Sequence, residues 1–211
     1  MPDDKKAMGQ KKTRKVFDNS YYERFYVNPQ TRAVEEKDIV LLVNHICSYL
    51  RYLRIPVKSA IDMGCGLGFW KKPLEYQFPG ITYTGVDSSS QLCARLGWKH
   101  SSITDYHTRK RFDLVICQSV LQYLPDNEIN DALENIHSLC RGGMYLEVVT
   151  LEDWRTNCDQ SRTDGKIHFR PAEWYRKKVR KYFINCGGGL FIPVESQAPL
   201  YELECLQPLT T

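Results

Sequence analysis

The stretch Ala60–Trp70, AIDMGCGLGFW, decides how this chain is read. A short apolar run ends at Asp62, and glycines follow at positions 64, 66 and 68. A dinucleotide loop spaces its glycines G-x-G-x-x-G, the third letting a helix pack closely on the strand. Here the third glycine comes one residue early and Phe69 follows it. A phosphate loop also needs a Lys followed by Ser or Thr after its glycines, and Phe69–Trp70 supplies neither. Asp62 counts further against phosphate, since a carboxylate repels a pyrophosphate and attracts a cation.

Working outward, KSAIDMG reads as a buried strand and ITYTGVD as a second one ending at Asp87. A carboxylate there accepts hydrogen bonds from both hydroxyls of a ribose. Glycines let the backbone approach a flat nucleoside. Together these features describe a site for a nucleoside that carries a cationic amino-acid tail and no phosphate. S-adenosylmethionine has that chemistry.

The rest of the chain alternates helical and strand patterns. TRAVEEKDIVLLVNHICSYLRYL reads as a helix capped by Thr31 and closed by Pro56. FWKKPLEYQF, SSSQLCARLG and DNEINDALENIHSLCRGG read as helices, the last capped by Asp126 and stopped by Gly142–Gly143. RPAEWYRKKVRKYF is a further helix with Pro171 in its first turn. RFDLVICQS and GMYLEVVT are strong strands, WKHSSIT is a weak one, and INCGGGLFIPVE and APLYELECL suggest closing strands. This alternation predicts a doubly wound, mostly parallel α/β sheet, with its ligand beyond the C-terminal strand ends.

Composition sets the outer bounds. The 211 residues suit one domain, and 42% hydrophobic content permits a sizeable core. The net charge of +4 belongs to the start of the chain: residues 1–15 carry six basic residues against Asp3 and Asp4. They read as a disordered basic tail, and residues 16–211 as one domain: a helical lid (16–56), a cofactor-binding half (57–150) and an acceptor-side loop with closing strands (151–211). The 8 cysteines form no C-x-x-C pair, which argues against a zinc site or a disulfide framework and for thiols in a reducing cytoplasm. No membrane span, leader segment or metal site is expected.

In order and spacing, AIDMGCGLG, YTGVD, FDLVICQSVLQYLPD, CRGGMYLEVV and HFRPAEWYRKKVRKYF resemble the class I S-adenosylmethionine-dependent methyltransferase family. The resemblance covers Ala60 to Val149 well and the C-terminal part more loosely. It implies a Rossmann-like sheet of seven strands. It also implies roles by position. Asp62 orients the methionine ammonium. Gly64, Cys65 and Gly66 form the loop beside the cofactor. Asp87 binds the ribose, Ser88 is a further cofactor contact, Ser102 and Ile103 flank the adenine, and Gln118 lines the methionine end. Many relatives carry an acid where Ser102 falls, and Asp105 is the nearby substitute.

The acceptor is less legible. No Asp/Asn-Pro-Pro-aromatic stretch follows the fourth strand, QSVL standing there instead, and no Pro-Cys pair occurs. A small-molecule acceptor methylated on O or N is therefore the leading expectation, with S-adenosylhomocysteine as co-product and no metal. A tRNA- or protein-directed enzyme and a non-catalytic S-adenosylmethionine-binding protein are the alternatives. The acceptor pocket is expected from two segments. SYYERFYVNPQTR offers Tyr22, Tyr26 and Arg32 under an aromatic lid that favours a cation. The long connection after the fifth strand offers Arg155, Arg170 and Trp174, with His168 as general base. Tyr123, after the fourth strand, is a second catalytic candidate.

Overall fold

A computed structural model describes residues 17–206; the basic tail of residues 1–15 lies outside them. The described chain folds as α1 (Asn19–Tyr22), a π turn (Glu23–Val27), α2 (Glu36–Tyr52), β1 (Ser59–Met63), α3 (Lys71–Gln77), β2 (Thr82–Asp87), α4 (Ser90–Leu96) and β3 (Lys99–His100). There follow β4 (Phe112–Gln118), a 3-10 turn (Leu121–Tyr123), α5 (Ile129–Leu139), β5 (Cys140–Glu147), α6 (Leu151–Thr156), α7 (Ala172–Val179), β6 (Phe183–Asn185) and β7 (Leu190–Pro193). The seven strands form one sheet in the order β3-β2-β1-β4-β5-β7-β6. All neighbours are parallel except β7, which runs antiparallel to both β5 and β6.

Period-two alternation assigns each strand residue to one of two apolar layers. In β1 and β4, Ile61, Met63, Val115 and Cys117 pack with the buried face of α5. Ala60, Leu114 and Ile116 pack on the other side against Val43, Ile46 and Leu50 of α2. Both faces of the sheet are therefore covered, which is why these strands read as continuous apolar runs. The chain leaves β1 toward β2 and returns on its other side to β4, so the strand order reverses between β1 and β4. That reversal opens the crevice beyond Asp62, Asp87 and Gln118.

Several local expectations are corrected. Helix α2 starts at Glu36 and not near Thr31. The Thr31 hydroxyl is spent on the Arg24 carbonyl at 2.6 Å, inside the turn around Pro29. Helix α5 begins at Ile129, because Asp126 pairs with Arg170 instead of capping it. Gly142 and Gly143 are strand residues of β5, not a helix stop. Side chains there would run into the Asp113 carbonyl and the Leu50 side chain. Pro171 is the N-cap of α7, one residue before its first turn. The long connection contains α6, closed by a Thr150–Asp153 capping box. APLYELECL forms no strand: only a 3-10 turn, Glu202–Glu204, occurs there. Among the described residues, a main-chain bond from the Leu206 N–H to the Asn185 carbonyl ties it to the short edge strand β6.

Candidate active site

The crevice at the strand ends has a volume of about 1230 Å³. That exceeds the few hundred to about 1,000 Å³ typical for one drug-sized ligand, so a nucleoside and a second small molecule fit together.

The glycine loop forms its floor. Gly64, Gly66 and Gly68 adopt φ of 82°, 50° and 76°, a region that favours glycine. The N–H groups of Gly64 and Cys65 both donate to the Val86 carbonyl, at 2.8 and 3.1 Å, tying the loop to β2. Above Gly66 there is room only to Tyr22: a Cβ at Gly66 would sit 3.3 Å from the Tyr22 ring. Trp98 braces the loop from behind, donating its indole N–H to the Gly66 carbonyl at 3.0 Å.

Two acids converge on this floor. Asp87 is buried and its carboxylate is organised by main-chain N–H groups, from Gly66 at 2.9 Å and Ser89 at 2.8 Å. The Tyr22 hydroxyl reaches it at 3.4 Å. Asp62 is also buried and accepts the Tyr83 hydroxyl at 2.6 Å. Burial pushes the Asp62 carboxyl up to about 7, the Tyr83 hydrogen bond opposing this and the Asp87 charge adding to it. Such a carboxyl lacks a cation, and an ammonium placed beside it restores its charge.

At the far rim Ser102 makes a compact turn, its hydroxyl accepting the Asp105 N–H at 3.1 Å. The Ile103 carbonyl is held by Asn135 Nδ2 at 2.7 Å. Asp105 also lines the crevice. Ser88 lies on the rim beside Asp87. Gln118 closes the other end. Its Oε1 accepts the Trp70 indole N–H at 2.7 Å, and its Nε2 donates to Glu147 at 2.7 Å. Ser119 adopts φ 55°, unusual for a residue with a side chain, and is held there by two bonds to Glu147. Neither residue caps the following turn.

The lid brings Tyr22 and Tyr26 to the crevice, the turn after β4 brings Tyr123, and the connection after β5 brings His168. Tyr21 and Phe17 join them, and Phe17 stacks edge-on against both Tyr21 and Tyr123 at 5.0 Å. The other expected acceptor residues are placed elsewhere. Arg32 faces Glu35 at 3.9 Å. Arg155 is exposed on α6. Trp174 is sandwiched between Arg170 and Lys178, at 4.8 and 4.6 Å. Arg170 is buried, bonding the carbonyls of Leu121 and Leu124, the Tyr175 hydroxyl and Asp126. It pins the turn that carries Tyr123 and does not line the crevice.

Sequence reasoning missed Trp70, Tyr83, Trp98 and Glu147. Only Glu147 had a signal: an acid closing the fifth strand beside the crevice. Each of the three aromatics reads as ordinary core until the fold brings it to a loop or a carboxylate.

A mostly parallel sheet with a glycine-floored crevice and two buried acids at adjacent strand ends is an α/β arrangement suited to a nucleoside. Known proteins narrow it. Residues 61–145 match a family model described as a methyltransferase domain. The malonyl-[acyl-carrier protein] O-methyltransferase of Magnetococcus marinus is 27% identical over 150 residues, covering 61% of this chain and 55% of that protein. The (S)-coclaurine N-methyltransferase of Papaver somniferum is 24% identical over 157 residues, covering 63% of this chain and 44% of that one. The chain thus spans about half the length of these curated relatives. In fold it is similar to Streptomyces venezuelae DesVI, with a TM-score of 0.58 at 15% identity, over 74% of this chain and 92% of that one. Residues 61–145 thus carry a methyltransferase domain, and the chain shares the fold of solved methyltransferases.

Among the described residues no group of His, Cys, Asp and Glu is arranged to hold a metal, and no helix is long and apolar enough to cross a membrane.

Proposed function

We propose that this protein transfers a methyl group from S-adenosylmethionine to an oxygen or nitrogen of a small-molecule acceptor. The observation that carries the reading is the pair Asp62 and Asp87, buried on either side of a positive-φ glycine loop. The loop contains no basic residue. That donor set suits an ammonium and a ribose diol and disfavours a pyrophosphate. Asp87 takes the ribose hydroxyls, its orientation fixed by Gly66 and Ser89. Asp62 faces the ammonium, and Ser102, Ile103 and Asp105 flank the base. Gln118, held by Trp70 and Glu147, borders the methionine end.

The cofactor supplies an electrophilic methyl on a sulfonium, a leaving group that needs no acid. The protein's task is to hold an acceptor lone pair in line and exclude water. The tyrosine-rich lid serves the second purpose. Tyr123 and His168 stand at the acceptor end as the side chains able to handle a proton. The two curated relatives are, by name, an O- and an N-methyltransferase, which supports transfer to one of these two atoms and divides over which. Free thiols at all described cysteines support a reducing, cytoplasmic setting.

Calorimetry with S-adenosylhomocysteine, NAD⁺ and ATP tests the reading. S-adenosylhomocysteine should bind at micromolar concentration or tighter and the two phosphorylated nucleotides should not. Equal affinity for NAD⁺, or no binding of S-adenosylhomocysteine, sinks it.

A further inference from the structure

The strand ends carry a third acid whose charge the ammonium and the ribose do not use. Glu147 closes β5, in register with Gln118 at the end of β4. Gln118 lines the crevice, and Glu147 stands directly behind it. The Glu147 carboxylate accepts three hydrogen bonds: from Gln118 Nε2 at 2.7 Å, from the Ser119 hydroxyl at 2.6 Å and from the Tyr145 hydroxyl at 3.4 Å. All three donors are neutral. Among the described residues, no Lys, Arg or His forms an ion pair with Glu147. The side chain is half-buried. A charge withdrawn from water without a counter-charge costs free energy, and a cation arriving nearby recovers part of it.

The amide in front of this acid can sit only one way round. The Trp70 indole only donates, so it faces Gln118 Oε1, and a carboxylate only accepts, so it faces Gln118 Nε2. Glu147 is therefore held at a fixed place behind the crevice wall. Its charge is felt inside. The Tyr26 phenol, which lines the crevice, is held above its ordinary range chiefly by burial, with the Glu147 and Asp87 charges among the smaller causes. The order of the strands says which part of a bound nucleoside lies here. Ser102 and Ile103 follow β3, Asp87 ends β2, the glycine loop follows β1, and Gln118 and Glu147 end β4 and β5. Neighbouring strands stand about 4.8 Å apart. With the base flanked by Ser102 and Ile103 and the ribose on Asp87, the rest of S-adenosylmethionine has to run across β1 toward β4 and β5.

Resting on the methyl-transfer reading above, we propose that Glu147 is a specificity-determining residue: its charge, held behind Gln118, makes the crevice prefer the sulfonium of S-adenosylmethionine to the neutral thioether of S-adenosylhomocysteine. Methyl transfer breaks the S–CH3 bond and leaves its electron pair on sulfur, and the positive charge passes to the acceptor with the methyl. The attraction by Glu147 is then lost, and the product is held less tightly than the substrate. Asp62 and Asp87 cannot draw this distinction, because both ligands carry the same ammonium and the same ribose. Glu147 need not touch the sulfur to act. Two unit charges about 8 Å apart, at an effective dielectric constant of about 20, attract by more than about tenfold in affinity. Substrate and product compete for one crevice, so the preference also limits inhibition by the product.

The test titrates the full chain with S-adenosylmethionine and with S-adenosylhomocysteine by calorimetry, at a single pH and salt concentration. The wild-type protein should bind S-adenosylmethionine about tenfold more tightly. Glu147→Gln keeps the size and the polar atoms and removes the charge. The two affinities should then come within about threefold of each other, through weaker binding of S-adenosylmethionine. S-adenosylhomocysteine should stay within about threefold of its wild-type affinity, which reports that the fold and Gln118 are intact. Glu147→Asp keeps the charge and disturbs the contacts, so both ligands should weaken while the preference of about tenfold survives. If Glu147→Gln no longer holds S-adenosylhomocysteine, Glu147→Ser is the neutral variant that decides. Equal affinities in the wild-type protein, an undiminished preference in the neutral variant, or a lost preference in Glu147→Asp overturns the proposal and leaves methyl transfer standing. Failure of the wild-type protein to bind either ligand is a failure of the underlying reading.

Discussion

The two ends of the crevice are built differently. The cofactor end is made of strand termini and main chain. Asp62 and Asp87 close neighbouring parallel strands, and the loop between them is fixed by its own N–H groups and by Val86. The end proposed for the acceptor is made of side chains delivered from a distance: Tyr21 and Tyr26 from before α2, Tyr123 from after β4, and His168 from the connection ahead of α7. Main chain at a strand end has little freedom to drift, so one cofactor geometry is kept. Side chains on loops can be exchanged without disturbing the sheet, so acceptor choice is free to vary. The difference is consistent with relatives named for such different acceptors aligning with one chain.

The largest break in that comparison should come from Asp87→Ala. It removes a charged acceptor of two ribose hydrogen bonds, each worth about 1.5–3 kcal/mol. S-adenosylhomocysteine affinity measured by calorimetry should fall about 100-fold or more. Affinity within about tenfold of wild type would remove Asp87 from the site. Arg170→Ala should break the other end next, through stability. It leaves the Leu121 and Leu124 carbonyls and the Tyr175 hydroxyl short of a donor in a buried place. The expected cost is about 3 kcal/mol, which lowers Tm by about 10 °C for a chain of this size. Cofactor affinity well below that Tm should be unchanged.

The same contrast governs what could be read beforehand. The floor was legible because its residues are adjacent in sequence and their types are constrained: only glycine suits φ of 82° at position 64, and an acid ending an apolar strand has few other uses. The sheet was legible because strands buried on both faces read as apolar runs. Arg32, Arg155, Arg170 and Trp174 were misplaced because a cation or a ring on a loop carries no record of where it points. Arg170 in particular was spent on carbonyls that only the fold brings near. The hydrogen bonds Tyr21–Tyr123 and Tyr123–Asp164 join residues more than 140 apart, and no periodicity encodes such a meeting. The strand expected at APLYELECL failed for a related reason: its pattern is sound, but it finds no sheet edge of matching length.

Asp62 sharpens the comparison through pH. Its carboxyl sits at about 7, far above the ordinary value, because it is buried. A folded-state value raised above the unfolded one means that the folded protein holds the extra proton. Stability therefore declines as pH rises from about 4 toward 7, and stays level above. Asp62→Asn should thus raise Tm, with a gain that grows between pH 4.5 and 8. Ligand affinity should run the other way. Wild-type affinity for S-adenosylhomocysteine should fall as pH drops below about 7, by at most about tenfold per unit, and should be flat above it. The Asn variant should bind weakly with no such slope. A variant less stable than wild type at pH 8, or a wild-type affinity flat from pH 8 to 5.5, would show that Asp62 is ionised without help and is no site for an ammonium.

The smallest effect is expected from Arg155→Ala, and its smallness is informative. Arg155 is exposed in the last turn of α6, outside the crevice. Its charge is screened by water and salt, since at 0.1 M ionic strength exposed charges fade beyond about 10 Å. Stability should stay within about 0.5 kcal/mol of wild type, and affinity for S-adenosylhomocysteine within about twofold. If the acceptor were an anion, the cations of the acceptor-side loop, of which Lys166 lines the crevice, would attract it, and losing Arg155 would weaken benzoate binding. A fall in the affinity of this test anion on Arg155→Ala, with S-adenosylhomocysteine unaffected, would therefore return Arg155 to the acceptor side of the crevice.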